Sequence, residues 1–231
     1  MPSDSVVAAE VAQFDALAAR WWDRTGPMAP LHAMNALRVD WACRHIKSGC
    51  AILDIGCGAG IASEALALRG HDVTGIDAAA EVIAAAEAHA LGQSLQLSYR
   101  VATAEALLAE GARFDAITAL EVIEHVAQPQ EFVRTLAGLL SPGGVLILST
   151  LNRTSRSYLT AKIGAEYLLR MLPVGTHDWA KFLTPAEIAS LLRQAGLRLT
   201  DIAGMSFNPL TNRWRETSDT GVNYILAARK D

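Results

Sequence analysis

Residues 51–77 read AILDIGCGAGIASEALALRGHDVTGID. The first run, AILDIG at 51–56, has the length and apolar character of a buried strand. IASEALALRG reads as a helix closed by Gly70. HDVTGID at 71–77 is a second strand. Gly56, Gly58 and Gly60 therefore fall between a strand and a helix, where glycine permits a tight turn and close approach of a ligand to the backbone. Asp77 lies about twenty residues beyond Gly56, at a strand end where a carboxylate can accept hydrogen bonds from a ribose diol. Strand, loop, helix, strand and acid in that order imply a bound nucleoside. A glycine turn that binds nothing is the plainer alternative.

The pattern repeats outward from this stretch. AAEVIAAAEAHAL is a helix, LQLSYRVATA a strand, FDAITAL at 114–120 a strand and EFVRTLAGLL a helix. SPGG at 141–144 is a turn before the strand VLILST. Strands alternating with helices mean βαβ units and a parallel sheet. Before it, residues 1–48 read as helical. Phe14, Leu17, Trp21 and Trp22 recur at helical spacing, Gly26 and Pro27 break the pattern, and a second helix runs through MNALRVDWACRHI. After residue 150 the alternation is interrupted over 151–183. It resumes with TPAEIASLLRQAGLRL, where Thr184 and Glu187 form a capping box with Pro185 at the first helical position. LRLTDIAGM and VNYILAARK are the last two strands, separated by the long polar stretch SFNPLTNRWRETSDTG. The expected organisation is one domain: N-terminal helices at 1–48, a cofactor-binding core at 49–150, an insertion or lid at 151–183, and a C-terminal helix and strands at 184–231.

Composition narrows the function. The 231 residues are 51% hydrophobic and 19% charged, enough for a substantial core. A net charge of −4 and a pI of about 5.9 disfavour a globally basic nucleic-acid binder. Cys43, Cys50 and Cys57 are too few, and odd in number, for a disulfide framework. The N-terminus carries Asp4, Glu10 and Asp15 before its first arginine and no basic start followed by an apolar core, so neither a signal peptide nor a mitochondrial presequence is expected. No window approaches the run of about 18 apolar residues a membrane span needs. A cytoplasmic location is expected.

A dinucleotide site takes G-x-G-x-x-G, with the third glycine opening the helix toward a pyrophosphate. Here the spacing is G-x-G-x-G, the next position is Ile61, and Asp54 precedes the loop. An acid there repels a pyrophosphate and suits a cationic sulfonium amino acid. The pattern resembles the first motif of class I S-adenosylmethionine-dependent methyltransferases. VATAEAL at 101–107, FDAITAL and LLSPGGVLIL fit the same family. The resemblance implies an α/β, Rossmann-like fold: a seven-stranded, mostly parallel sheet with the last strand antiparallel and helices on both faces. It implies S-adenosylmethionine as cofactor. By this resemblance the loop glycines and Asp54 face its methionyl part, Asp77 binds the ribose, Ala104 and Glu105 at the end of the third strand meet the adenine with Leu120, and Arg38 reaches the carboxylate.

The remainder decides the substrate. EVIEHV at 121–126, STLNRTSRS at 149–157, GAEYLLRMLPVGTHDWAKFLTP at 164–185 and NPLTN at 208–212 together resemble the ubiquinone-biosynthesis O-methyltransferase family, over nearly the whole chain. That family methylates phenolic hydroxyls of polyprenylated rings (2-polyprenyl-6-hydroxyphenol and 3-demethylubiquinol). A methyltransferase of another small phenolic or carboxylic substrate is the alternative. A phenol with a pKa near 10 is a poor nucleophile at neutral pH, so its proton must be removed. His125 could be the general base. Alternatively Glu121, Glu124 and His125, on one face if the segment is helical, could hold a divalent ion that lowers the phenol pKa. The bland alternative is that the glutamates open a helix and His125 merely packs. Asn152, Tyr167, His177 and Asp178 are substrate-side candidates. Trp21 and Trp22 are either a lid or core.

Residues 153–181 carry five basic residues (Arg153, Arg156, Lys162, Arg170 and Lys181) against Glu166 and Asp178, interleaved with Tyr158, Leu159, Ile163 and Tyr167. This mix suits a segment lying on an anionic lipid surface, and equally an ordinary lid. Peripheral association with the inner membrane and contact with other ubiquinone-biosynthesis proteins are the expected partnerships.

Overall fold

The computed structural model describes residues 5–158, 179–208, 211 and 213–231. The N-terminal arm holds α1 (Ala8–Asp15) and a 3-10 turn (Ala18–Arg20), followed by α2 (Ala29–Cys43). Then come β1 (Ala51–Ile55), α3 (Ile61–Ala67), β2 (Asp72–Asp77), α4 (Ala80–Ala90), β3 (Leu97–Val101), α5 (Ala104–Ala109), β4 (Phe114–Leu120), α6 (Pro129–Leu139) and β5 (Leu140–Leu151). The chain closes with α7 (Pro185–Gln194), β6 (Leu197–Asn208), β7 (Arg213–Thr217) and β8 (Asn223–Lys230).

The strands form one sheet in the order β3-β2-β1-β4-β5-β8-β6-β7. The β1 to β5 pairings are parallel, and β8 inserts antiparallel between β5 and β6. The architecture is the expected Rossmann-like one with one more strand than expected. β7 lies inside the polar stretch 206–221 and returns as a hairpin on β6, pairing Phe207 with Trp214. Its sequence, RWRET, has no apolar run because it is a sheet edge with only one neighbour, so the periodicity that marks a strand is missing.

Other boundaries shift for local reasons. The third strand ends at Val101, and Ala104 and Glu105 open α5 instead, with the Thr103 hydroxyl accepting from the Ala106 N–H. α2 starts earlier than its apolar pattern, with Pro30 in its first turn. The SPGG turn is absorbed into β5, where the register against β4 slips between Phe114 and Ala116 and Gly143 has φ 74°.

The central strands are apolar on both faces, as a doubly covered parallel sheet requires. Leu53, Ile117, Leu146 and Leu226 pack with Phe132, Leu136, Ile188 and Leu192 of α6 and α7. The alternate residues Ile52, Ala116, Ile147 and Ile225 pack with Val39, Trp41 and Leu66 of α2 and α3. The C-terminal ends of β1, β2 and β4 thus share one edge. The strand order reverses between β1 and β4, the place where such sheets bind ligands. Among the described residues no helix is long and apolar enough to cross a membrane.

The capping box at α7 is formed as expected. Thr184 Oγ1 accepts from the Glu187 N–H, and the Glu187 carboxylate accepts from the Thr184 N–H. Thr184→Ala is therefore expected to lower stability by about 1 kcal/mol, read as a lower denaturant midpoint with an unchanged slope.

Candidate active site

β1 delivers Asp54 and Ile55 to the sheet edge, and the chain then turns through Gly56, Gly58 and Gly60 with φ of 63°, 54° and 86°. Gly58 shows why this loop is built of glycine. A Cβ there would sit 2.2 Å from Cζ2 of Trp21, on top of the strain of its left-handed φ. Trp21 lies against the loop, and the neighbouring Trp22 donates from Nε1 to the Ala59 carbonyl at 3.0 Å. Trp22 also stacks on His89 at 3.4 Å between ring centroids, and Glu64 accepts from the His89 Nδ1 at 2.7 Å. The paired tryptophans therefore act as both core and cover.

Asp77 holds the loop from beneath. Its Oδ2 accepts from the Gly58 N–H at 3.0 Å and its Oδ1 from the Ala79 N–H at 2.9 Å. Each oxygen keeps lone-pair capacity for a ribose hydroxyl. Asp54 is buried and accepts from the hydroxyls of Ser63 and Thr118, each at 2.6 Å. Burial raises the pKa of both acids, and the hydrogen bonds each accepts oppose that shift.

These residues line a cavity of about 900 Å3 beneath the N-terminal arm. Of the expected cofactor residues, Arg38, Asp54, Gly56, Gly58, Asp77, Ala104 and Leu120 line it, while Gly60 and Glu105 do not. Gly60 sits over Tyr99, and Glu105 lies in the first turn of α5. Arg38 is 4% exposed, yet its Nε and Nη1 have no hydrogen-bond partner, and Glu121 Oε1 is 3.8 Å from Nη1. A buried guanidinium with two orphaned donors fits a bound carboxylate, as the methionyl end of S-adenosylmethionine would supply.

The segment 121–126 is a turn and not a helix. Glu121 has φ 58°, its N–H donates to the Ser149 carbonyl, and the His125 N–H donates to Val122. The shared helical face expected for Glu121, Glu124 and His125 is therefore absent, and so is the helix that the glutamates would have opened. Among the described residues no group of three or more His, Cys, Asp or Glu side chains could hold a metal ion. Glu121 and His125 line the cavity; Glu124 is buried behind them, accepting from Thr150 at 2.9 Å. Burial and the adjacent Glu121 carboxylate push Glu124 well above the usual carboxylate range. Glu121 accepts from Ser149 at 2.7 Å and faces Arg38. Among the described residues, the three side chains proposed as ligands of a divalent ion are thus not gathered into a metal site.

His125 faces the opposite way. Its Nδ1 meets Glu10 Oε2 at 3.2 Å, and its ring sits edge-on to Phe14 at 5.7 Å. Burial lowers its pKa, opposed by Glu10 and Glu121, which leaves the imidazole neutral and able to accept a proton at neutral pH. Asn152 is buried away from the cavity and ties two loops together, its side chain donating to Thr220 and its N–H to Val222. Tyr167, His177 and Asp178 lie outside the described residues. Ser63, Thr118 and Glu10 were not legible as site residues. Their partners are 9, 64 and 115 positions away in the chain, and no local pattern links them.

Comparison with known proteins agrees with this geometry. A family model for a methyltransferase domain matches residues 24–202. The magnesium protoporphyrin IX methyltransferase of Synechocystis PCC 6803, solved with bound SAH, superposes with a TM-score of 0.71 over 97% of this chain and 99% of that one. Its 20% identity makes this a likeness of fold. The fold and the cofactor site define a class I S-adenosylmethionine-dependent methyltransferase. The ubiquinone biosynthesis O-methyltransferase of Caulobacter vibrioides is 48% identical, covering 100% of this chain and 97% of its own length. That of Stutzerimonas stutzeri is 47% identical, covering 96% and 97%. The chain belongs to the family of ubiquinone biosynthesis O-methyltransferases.

Arg38→Met is expected to weaken S-adenosylmethionine binding about 10- to 100-fold, the range for a charge-assisted hydrogen bond lost from a buried site. Titration calorimetry on the full chain checks it, and unchanged affinity would remove Arg38 from the cofactor site. Gly58→Ala is expected to lower both cofactor affinity and the thermal midpoint.

Proposed function

We propose that the chain methylates the phenolic hydroxyl of polyprenylated rings, 2-polyprenyl-6-hydroxyphenol and 3-demethylubiquinol, with His125 as the general base. The observation that carries this reading is the cavity-facing His125 held by a carboxylate in an otherwise mostly apolar chamber. Bound S-adenosylmethionine supplies an electrophilic methyl group on its sulfonium. The protein contributes position and proton removal. Arg38 and Asp54 anchor the methionyl end, Asp77 the ribose, and Leu120 and Ala104 the base.

The volume of about 900 Å3 lies at the upper end of the range for ligand sites, which suits a cofactor and an aromatic ring held side by side. Phe14, Leu17, Met34, Phe182 and Trp214 offer an apolar wall for the ring and the start of its tail. Excluding water there keeps the nucleophilic oxygen from being solvated and lets His125 accept its proton as the oxygen attacks.

The tail resides in a bilayer, so the enzyme meets it at a lipid surface. Two features support the region of 153–181 as the contact. Its composition pairs basic with apolar residues. Tyr158 and Trp179, which bracket residues 159–178, are 48% and 38% exposed and meet edge-to-face at 5.8 Å. Aromatic residues of this kind favour the headgroup boundary. Replacing Tyr158 and Trp179 by alanine is expected to reduce flotation with anionic vesicles, and flotation at the wild-type level would end the lipid assignment.

Methyl transfer from labelled S-adenosylmethionine to a short-tailed demethylubiquinol analogue tests the activity itself. His125→Asn is expected to lower kcat about 100- to 10,000-fold while cofactor affinity by calorimetry is unchanged. Cofactor binding by the wild-type chain without any transfer would point to a different phenol or acid as substrate.

A further inference from the structure

The imidazole that lines the cavity from the β4 edge is held by a part of the chain outside the methyltransferase domain match, which begins at residue 24. α1 contributes two contacts to one ring. Glu10 Oε2 lies 3.2 Å from His125 Nδ1, and Phe14 packs edge-on to it with an interplanar angle of 85°. The other Glu10 oxygen, Oε1, accepts from Lys181 Nζ at 3.2 Å, at the far end of the insertion. Glu10 itself lines the cavity and is largely covered, with 19% of its side chain exposed.

α1 is anchored independently of these contacts. The Asp15 carboxylate accepts from the Glu81 N–H at 3.0 Å, at the start of α4, where Ala79 provides no side-chain cap. The Ser5 carbonyl accepts from the Ala127 N–H at 3.0 Å. α1 has no fully buried residue, so these polar contacts and the cavity-facing Val11, Phe14 and Leu17 fix where it sits.

We infer that Glu10 is a positioning residue for the methyl-transfer reaction, setting the tautomer and orientation of His125 from the N-terminal arm. An ionised carboxylate can only accept, so the Nδ1 that faces it carries the hydrogen. In the neutral ring the accepting lone pair is then on Nε2. An imidazole in the other tautomer would present an N–H to the phenol and could not take its proton. Glu10 thus does for His125 what an outer carboxylate does for many imidazoles, locking the ring before substrate arrives. Because Lys181 shares the same carboxylate, the arm and the end of the insertion meet beside the base. The inference rests on the reading of His125 as base.

The test uses the full chain with 15N-labelled histidine, the His125 signals being assigned by their loss in His125→Asn. In the wild-type protein the ring shifts are expected to report the Nδ1–H tautomer. Glu10→Gln is expected to shift the population toward Nε2–H and to lower kcat about 10- to 100-fold, with KM and cofactor affinity little changed. Glu10→Asp, which keeps the carboxylate, is expected to recover part of the kcat and of the tautomer. Asp15→Ala, which loosens the arm at a different contact, controls for a merely structural role. If it moves the His125 shifts as far as Glu10→Gln does, or if Glu10→Gln leaves tautomer and kcat unchanged, the assignment is overturned. Full kcat in His125→Asn would overturn the base and this role of Glu10 together, whereas loss of kcat in His125→Asn with unchanged tautomer and kcat in Glu10→Gln would overturn the role of Glu10 alone.

Discussion

Successive left-handed glycines leave a stretch of backbone bare between β1 and α3, and the rest of the site is arranged to hold it. Only Cys57 and Ala59, both buried, bring side chains to this loop, and its three glycines lose more conformational freedom on folding than other residues would. Asp77 pins it from one side through the Gly58 N–H. Trp21 and Trp22 close it from the other, one by filling the space that a Cβ would take and one by a hydrogen bond to Ala59. The same contacts that order the loop shape the cofactor cavity, so binding and folding draw on one set of interactions.

That arrangement explains why the N-terminal arm matters. The tryptophans continue the chain from α1, and α1 carries Glu10 and Phe14 to His125. Cofactor and substrate sides are therefore covered by one short element with few buried residues. Its attachment combines a few polar contacts with the packing of Val11, Phe14 and Leu17 against the core cluster around Trp21 and Ala59.

The acids show how position selects chemistry. Asp54, Asp77, Glu121 and Glu124 all lie at the same end of the sheet. Asp54 and Asp77 are held by hydroxyl or backbone donors and stay available to a cofactor. Glu121 and Glu124 face one another: Glu124 is buried with its pKa pushed well above the usual carboxylate range, and Glu121 meets Arg38. Identical functional groups diverge because their donors differ.

The sequence by itself determined the parallel sheet, the glycine loop between β1 and α3, the carboxylate at the end of β2 and the capping box at Thr184. Each rests on interactions within a few residues or on a periodicity that burial imposes along a strand or helix. It also carried the family, because the long motifs beyond residue 120 are particular to it. It did not disclose β7, whose edge position removes the apolar alternation that would mark it. It placed Glu121, Glu124 and His125 on a common helical face, which the left-handed turn at Glu121 dissolves. The grip of Ser63 and Thr118 on Asp54, the shelter of Trp21 over Gly58 and the pairing of Glu10 with His125 were decided only by the tertiary structure. Those contacts join residues from separate elements, and only the packing of the sheet edge against the arm sets their distances.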